Sequence, residues 1–152
     1  MTGRILVIII LASALLAGGA MWWLQVYAFY DRLGPQGTVA AIAADGTTRE
    51  VAVRDFAGID STSSPIRYRA CFALADPAAL ADAAPAVDPT PLVGPGWFDC
   101  FDAGEVTRAL GTGAARAVLS VREVARGVDR IIAYWPDGRA VAWHQLNGTL
   151  EN

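Results

Sequence analysis

The fold is decided by residues 128–146, whose sequence is VDRIIAYWPDGRAVAWHQL. Two runs rich in β-branched and aromatic residues, Val128–Trp135 and Arg139–Leu146, flank the segment Pro136-Asp137-Gly138. Proline presets φ at one position of a tight turn, and glycine adopts the positive φ that another position requires. The sequence therefore predicts an antiparallel hairpin, and the rest of the chain is interpreted outward from it.

A second hairpin is predicted nearer the N-terminus, where Asp45-Gly46 separates Thr38–Ala44 from Thr47–Val53. Asp-Gly between two strand-like runs is a strong hairpin signal. Between the two hairpins, Ile66–Phe72 alternates apolar and polar residues, as a half-buried strand does. Ala117–Val121 is predicted as one more strand, although residues 119–125 fit a helix equally well.

Two short helices are predicted between the strands. Asp76-Pro77 offers an N-cap followed by proline at the first helical position, and Pro85 ends that helix. Asp102 and Glu105 match a capping box before a second helix that runs to about Leu110. The order of elements indicates an α+β domain over residues 38–150, with a mostly antiparallel sheet.

The N-terminal part differs in composition, because Ile5–Tyr30 contains no charged residue. A helix of this length extends roughly 39 Å, which is enough to cross a bilayer. Arg4 precedes the span, so we expect residues 1–4 in the cytoplasm and a tether over 31–37 leading to an extracytoplasmic domain. Aromatic side chains predicted at the membrane–water interface are those of Trp22, Trp23, Tyr27 and Tyr30.

A cleaved signal peptide is the alternative interpretation of this segment. Gly18-Gly19-Ala20 offers small residues before a possible cut. However, the apolar run continues to Tyr30, and the region before it carries a single arginine. We therefore predict an uncleaved anchor in the inner membrane, with a periplasmic domain.

Composition excludes several classes of function. The chain has 152 residues and a formal net charge of −3, and its 12 basic residues are all arginine. Without the anchor, about 120 residues remain, which suffice for one small domain. A large multidomain enzyme and a multi-span transporter are therefore not expected, and the negative charge argues against a nucleic-acid partner.

Cys71 and Cys100 are the only cysteines, and both lie in the part predicted outside the cytoplasm. An oxidising compartment favours a disulfide, which would stabilise the fold by roughly 3–4 kcal/mol. Two alternatives remain open: a pair of buried free thiols, or a redox or metal-binding pair, in which His144 could join both cysteines at a metal site. A lone strand histidine more commonly forms local hydrogen bonds, so no cofactor is predicted.

Two pairs of charged residues are candidates for chemistry. Arg67 and Arg69 are expected on one strand face, where two guanidinium groups could hold an anionic ligand. Asp99 and Asp102 flank Cys100 and could form an acid–base pair, although helix capping already accounts for Asp102.

Two surfaces are candidates for partner contacts. Trp97 follows Gly-Pro-Gly in a loop and, with Phe98, is predicted to anchor a protein partner. In the membrane helix, Ala14, Ala17 and Gly18 belong to small-residue pairs that let a second helix approach closely. The alternative is that these small side chains simply face lipid.

Five stretches spread over nearly the whole chain resemble an uncharacterised family of small, single-span bacterial membrane proteins. They are LQVYAFY at 24–30, SPIRYRACF at 64–72, PGWFDCFD at 95–102, PDGR at 136–139 and AWHQ at 142–145. The resemblance implies this architecture and no known activity, cofactor or catalytic residue. Members are sometimes labelled histidine kinases, but the chain has no room for a nucleotide-binding domain beside the anchor.

Together these observations predict a protein that is not an enzyme: an accessory subunit or assembly factor of an inner-membrane complex, a respiratory one being a candidate. The expected partners are the lipid bilayer and a membrane protein that contacts both the helix and the outer domain. Two other hypotheses are a metal- or cofactor-handling protein using Cys71, Cys100 and His144, and a ligand-sensing domain using Arg67 and Arg69.

Overall fold

The structure, a computed structural model, describes residues 3–151, which fall into two units that divide after Tyr30. The first unit contains α1 over Gly3–Trp23, which continues as a π-helix over Leu24–Ala28. Residues 3–28 are long and apolar enough to cross a membrane, a description that a signal sequence near an N-terminus also fits.

The second unit is built on an antiparallel sheet in which the strand order is β1-β3-β4-β7-β6-β5, and β2 also pairs with β3. The strands are β1 (Asp31–Leu33), β2 (Thr38–Ile42), β3 (Thr48–Asp60), β4 (Arg69–Leu74), β5 (Arg116–Ala125), β6 (Val128–Tyr134) and β7 (Arg139–Leu146). The helix α2 (Ala103–Thr112) lies between β4 and β5 in the chain. This architecture confirms the α+β prediction.

The hairpin from which the sequence was interpreted is present as β6 and β7, with Val128 opposite Leu146 and Tyr134 opposite Ala140. In its turn, the Trp135 N–H donates to the Arg139 carbonyl oxygen at 2.9 Å. Gly138 has φ 91°, the positive value that made glycine necessary there. The segment 119–125, which also fitted a helix, is part of β5.

The N-terminal hairpin is also present, but β3 continues seven residues past the predicted end at Val53 to reach Asp60. Asp55 has φ 55°, and the pairing of β3 with β4 shifts register between Arg54 and Ala57. This bulge breaks the alternation on which the sequence prediction relied. The extension pairs with β1, so residues 31–33 belong to the sheet and the predicted tether over 31–37 is correspondingly shorter.

Residues 83–86 close the gap between β5, the last strand in the order, and β2, which pairs with β3 beside β1. The Ala84 N–H donates to the Ile42 carbonyl oxygen at 2.7 Å, and the Leu119 N–H donates to the Ala84 carbonyl oxygen at 2.8 Å. Ser120 Oγ also donates directly to the Ala40 carbonyl oxygen at 2.6 Å. The sheet therefore curls until its ends meet.

The two predicted helices have different outcomes. Asp76 caps as expected, because its side chain accepts from the Ala78 N–H, but only a 3-10 turn over Pro77–Leu80 follows instead of a helix to Pro85. Asp102 accepts from two N–H groups at the start of α2. That helix passes Leu110 and ends at Gly113, which has φ 74°.

The inside of the curled sheet holds the main hydrophobic core. One register row crosses four strands, and each of its side chains is buried: Val118, Ile132, Ala142 and Ala70. The buried side chains of Tyr68, Phe72 and Leu74 belong to the same core. Because side chains alternate between the faces of a strand, the neighbouring row must face the other way.

That neighbouring row defines the outer face of the sheet and consists of Leu119, Ile131, Trp143 and Arg69. It too is buried, and Trp143 is fully inaccessible. The chain that covers it is residues 85–102, here called the covering segment, whose Phe98 and Phe101 are buried. The Phe101 ring lies edge-on to Trp143, with centroids 6.4 Å apart.

Candidate functional site

A disulfide joins Cys71 of β4 to Cys100 at the end of the covering segment, with Cα atoms 6.2 Å apart. The disulfide prediction is confirmed. The bond closes a loop of 29 residues in sequence separation and fixes the far end of the covering segment to the sheet. Cys100 is exposed and Cys71 is half-buried.

Arg69 fixes the middle of the covering segment. The residue is 3% exposed, and its Nε donates to the Leu92 carbonyl oxygen at 2.7 Å. One Nη donates to the carbonyl oxygens of Ile66 and Tyr68, and the other donates to that of Val93 at 3.3 Å. The planar, five-donor guanidinium suits such a cluster of acceptors.

This arrangement bears on the ligand-sensing hypothesis, which needs Arg67 and Arg69 to reach one ligand. Arg67 lies before β4 begins and donates to Ser63 Oγ at 3.2 Å. Arg69 is buried and occupied by backbone carbonyl groups. The structure therefore does not bring the two guanidinium groups together in an open pocket.

His144 is held in an aromatic and cationic stack inside the curled sheet. Its ring lies parallel to Tyr68 with centroids 4.5 Å apart, and the guanidinium carbon of Arg130 lies 4.2 Å from the Tyr68 ring centroid. Arg130 Nε donates to His144 Nε2 at 3.0 Å, so that nitrogen is the acceptor. His144 Nδ1 therefore carries the proton and donates to the Pro65 carbonyl oxygen at 2.6 Å.

The same environment keeps His144 neutral near pH 7. Burial lowers the pKa of His144 from 6.5 to about 4, against the opposing effect of the hydrogen bond to Pro65. The charge of Arg130 lowers the pKa further. A neutral ring with both nitrogens engaged has no free lone pair for a metal or a substrate proton.

The three residues of the metal-site hypothesis are therefore not arranged as a ligand set. The disulfide occupies both sulfurs, and His144 donates and accepts within the protein. Within residues 3–151, no group of three or more His, Cys, Asp or Glu side chains is placed to hold a metal ion.

Asp99 and Asp102, the candidate acid–base pair, differ in their contacts and exposure. Asp102 Oδ1 accepts from the N–H groups of Gly104 and Glu105 at 2.8 and 3.0 Å, which makes it the N-cap of α2. Asp99 is exposed on the surface. Glu105 does not complete the capping box, because its side chain forms an ion pair with Arg139 at 3.3 Å.

The predicted partner residues of the covering segment differ in accessibility. Phe98 is 6% exposed, so its side chain offers almost no surface to a partner in this conformation. Trp97 is half-buried, and the Arg32 guanidinium carbon lies 4.9 Å from its ring centroid. Trp97 also meets Phe98 edge-on, with centroids 6.3 Å apart.

The predicted membrane residues lie along the first unit. Ala14, Ala17 and Gly18 are exposed on α1. At its C-terminal end, Tyr27 stacks on Trp23 with centroids 4.8 Å apart and meets Trp22 edge-on at 5.5 Å. Tyr30 is half-buried and ends the unit.

A groove that the sequence did not predict opens where the covering segment leaves the outer face. Its volume is about 480 Å³. Leu119 and Ile131 contribute apolar side chains to it. Residues 85–88 and Thr90 form one wall, and residues 147–149 form the other. We call it the outer groove.

The first wall of the outer groove is held by Gln145, which is 7% exposed. Its Oε1 accepts from the Thr90 N–H at 2.8 Å and from Trp143 Nε1 at 2.9 Å. Its Nε2 donates to the Asp88 carbonyl oxygen at 3.1 Å. One carboxamide therefore fixes residues 88–90 at a set distance from the sheet.

The second wall is held by Asn147, whose Nδ2 donates to Glu123 Oε1 at 2.6 Å and to Asp129 Oδ1 at 2.9 Å. Glu123 has φ 49° and accepts from the Gly127 N–H through its other oxygen at 2.9 Å. The hydrogen bond from Asn147 is the main reason that the pKa of Glu123 is lowered. The network ties the C-terminal segment to the β5–β6 turn.

With this geometry established, comparison with known proteins identifies the family. Residues 38–152 match a sequence family described as "Family of unknown function (DUF6446)". The chain belongs to this family. Neither a curated protein nor a solved structure matches it. The part that matches DUF6446 contains the disulfide, the His144 stack and both walls of the outer groove, whereas α1 and β1 precede it.

Within the DUF6446 domain, sequence reasoning missed the outer groove because its two walls come from segments almost 60 residues apart. The signal that was available is Gln145, a polar residue two positions after Trp143 in a strand that is buried along most of its length. A buried carboxamide needs partners for both its oxygen and its nitrogen. Those partners, Asp88 and Thr90, could not be identified from spacing alone.

Proposed function

We propose that this protein is a membrane-anchored, non-catalytic accessory subunit or assembly factor, whose outer groove binds a protein partner. The observation that carries the proposal is the apolar character of the groove. Val87 and Leu146 line it with exposed fractions of 81% and 60%. Contiguous exposed apolar side chains around a concave surface are typical of binding sites.

The groove also suggests the chemistry of the partner. Arg122 lines it and is exposed. Asp129, which also lines the groove, already accepts hydrogen bonds from Asn147 and from the Glu123 N–H. We expect a partner segment with apolar side chains for Val87 and Leu146 and a carboxylate for Arg122.

Two further features support the location of this function. The disulfide favours an oxidising compartment, which agrees with a periplasmic domain behind an N-terminal anchor. The small residues Ala14, Ala17 and Gly18 offer a second contact, in which a helix of the same membrane complex packs against α1. A complex of the inner membrane, a respiratory one among the candidates, would present both kinds of surface.

The test is crosslinking of the full-length protein in its native membrane, followed by mild solubilisation and identification of the crosslinked residues. We expect crosslinks from the rim of the outer groove to one membrane-protein partner. Arg122→Glu and Val87→Asp should reduce the yield several-fold. Arg126→Glu is the matched control, because Arg126 is also exposed but does not line the groove.

Two results would contradict the proposal. One is a protein that always migrates alone as a monomer after crosslinking. The other is a partner whose recovery and crosslink sites are the same in wild type, Arg122→Glu and Arg126→Glu.

A further inference from the structure

The outer groove carries two exposed side chains of opposite charge that do not pair with each other. The charged residues that line it are Asp88, Arg122 and Asp129. Asp88 and Arg122 are exposed. Among the residues that the structure describes, the ion pairs involve Arg49 and Arg139, and neither Asp88 nor Arg122 takes part in one. Both charges are therefore open to a molecule bound in the groove.

The backbone of Asp88 is fixed, although its side chain is exposed. The Asp88 carbonyl oxygen accepts from Gln145 Nε2 and from Thr90 Oγ1, each at 3.1 Å. Its φ of 44° is positive, which is uncommon for a residue other than glycine. Glycine or asparagine would meet this backbone requirement without a charge. The backbone conformation therefore does not explain why a carboxylate is present at the groove.

The sheet sets the distance between the two charges. Gln145, whose side chain holds Asp88, lies on β7, and β6 separates it from β5. Asp129 of β6 pairs with Gln145. The next residue of β6 pairs with Val121, which precedes Arg122 on β5. Two strand spacings therefore separate the backbones of Gln145 and Arg122 by about 10 Å.

Asp129, the third charged residue of the groove, already has partners within the protein. It is half-buried, and its Oδ1 accepts from Asn147 Nδ2 and from the Glu123 N–H, both at 2.9 Å. The lining of the groove thus contains two carboxylates and one guanidinium. A bound segment consequently needs a cation in addition to the carboxylate that Arg122 attracts.

We propose that the outer groove binds a short extended segment of the partner that carries a basic side chain for Asp88 and an acidic side chain for Arg122, with apolar residues between them. This proposal rests on the proposed function, because it concerns the partner segment of the same groove. An extended chain rises about 3.3 Å per residue, so the two charged residues are about two to four positions apart.

The size of the groove favours an extended segment over a helix. Its volume is about 480 Å³. An α-helix about 10 Å wide fills such a volume within about one turn, which is too short to present both charged side chains and the apolar residues between them. An extended chain spans the same 10 Å or so between the two charges with about three residues.

The test selects a ligand without assuming its sequence. Full-length protein, solubilised in mild detergent with its disulfide intact, is used to select binders from a random library of displayed octapeptides. Peptides that bind Val87→Asp equally well are discarded, because Val87 lines the groove. The remaining sequences should be enriched in a basic and an acidic residue about two to four positions apart, with apolar residues between them.

A double-mutant cycle then assigns each charge to its partner. One selected peptide, and two versions in which its basic or its acidic residue is replaced by glutamine, are titrated against wild type, Asp88→Asn and Arg122→Gln by fluorescence anisotropy. Replacing the basic residue should weaken binding to wild type about two- to fivefold and should have no effect on binding to Asp88→Asn. The acidic residue should be coupled to Arg122 in the same way. Asparagine tolerates the positive φ at residue 88, so Asp88→Asn removes the charge alone.

Asp99→Asn and Arg126→Gln are the matched controls, since both residues are exposed and neither lines the outer groove. In these variants, replacing the basic or the acidic residue of the peptide should weaken binding as much as it does in wild type. The thermal transition of each variant checks that it is folded.

Three outcomes overturn the inference. If the selected peptides contain acidic and apolar residues but no basic residue, the groove binds a segment as the proposed function states, but Asp88 does not select it. If the basic residue contributes as much to binding of Asp88→Asn as of wild type, another group recognises it. If no peptide distinguishes wild type from Val87→Asp, the groove does not bind a segment, and the proposed function fails with the inference.

Discussion

The two faces of the sheet are both buried, but they are buried by different means. The inner face is filled by side chains of the strands themselves, with Val118, Ile132, Ala142 and Ala70 in one row. The outer face is covered by residues 85–102, a segment without regular hydrogen bonding along most of its length. Only the first of these arrangements follows from alternation along a strand.

The difference shows what a segment without secondary structure requires in order to stay in place. Its carbonyl and N–H groups need partners, and the sheet supplies them through side chains. Arg69 donates to the Leu92 carbonyl group, and Gln145 contacts the backbone at Asp88 and Thr90. The outer face is therefore specified by a few long-range polar contacts and a disulfide, and each of these can be removed singly.

The largest effect is expected from Arg69→Met. The carbonyl oxygens of Ile66, Tyr68 and Leu92 would lose the guanidinium donor. At 1–3 kcal/mol for each buried unsatisfied group, we expect a loss of about 3–5 kcal/mol in the free energy of unfolding. Chemical denaturation measures the loss, and limited proteolysis should show cleavage within residues 85–97.

Arg67→Met is the matched control, since it removes a cation two residues away whose side chain donates to Ser63 Oγ. We expect its destabilisation to be clearly smaller, with the covering segment still protected from protease. Equal effects of the two substitutions would show that Arg69 does not hold the segment.

The next effect is that of the disulfide. Replacing both Cys71 and Cys100 with serine removes the cross-link and should lower the free energy of unfolding by about 3 kcal/mol, as expected for a loop of this length. The inner face carries no such link, so its amide protons should exchange only as global stability falls. Hydrogen exchange tests this: selective deprotection of residues 92–101 is expected, and uniform deprotection would contradict it.

Sequence patterns predicted what is local. The Pro136-Asp137-Gly138 turn, the Asp45-Gly46 hairpin and the Asp102 cap depend on residues within four positions of each other, and all three are present. The extension of β3 to Asp60 was missed because a positive φ at Asp55 interrupts the alternation.

What depends on distant residues was not predictable in the same way. The closure of the sheet by Ala84, the use of Arg69 as a clamp and the outer groove each need contacts over more than 20 residues. Arg69 was predicted on a strand face with Arg67 and was considered as a ligand for anions. An arginine flanked by apolar residues looks the same in sequence whether its acceptors are a ligand or the protein's own carbonyl groups.

A smaller effect, on the inner side, is expected from pH. Folding lowers the pKa of His144 from 6.5 to about 4, so between these values the unfolded chain binds more protons than the folded chain. Stability is therefore full above pH 6.5 and falls as the pH drops. We expect a loss of about 2 kcal/mol between pH 7.5 and pH 5. Carboxylates with lowered pKa, such as Asp82 and Asp137, add their own loss only at lower pH.

His144→Gln separates this contribution from the others. A carboxamide can accept from Arg130 and donate to Pro65 but does not titrate. The variant should lose most of the slope of unfolding free energy against pH between 7.5 and 5. A slope equal to that of the wild type would show that another group is responsible.

The smallest effect compares the two aspartates that flank Cys100. Asp102 accepts from two N–H groups at the start of α2, so Asp102→Ala should lower the free energy of unfolding by about 1 kcal/mol. Asp99 is exposed and lies outside the helix, so Asp99→Ala should lower it by less than about 0.5 kcal/mol. Thermal unfolding of the two variants with the disulfide intact measures both values. The disulfide at Cys100 already fixes the covering segment two residues before Asp102. The Asp102 cap therefore orients α2 more than it holds the covering segment. If Asp99→Ala were as destabilising as Asp102→Ala, the polar contacts that keep the outer face covered would extend to Asp99, and the contrast between the two faces would depend on more residues than Arg69, Gln145 and the disulfide.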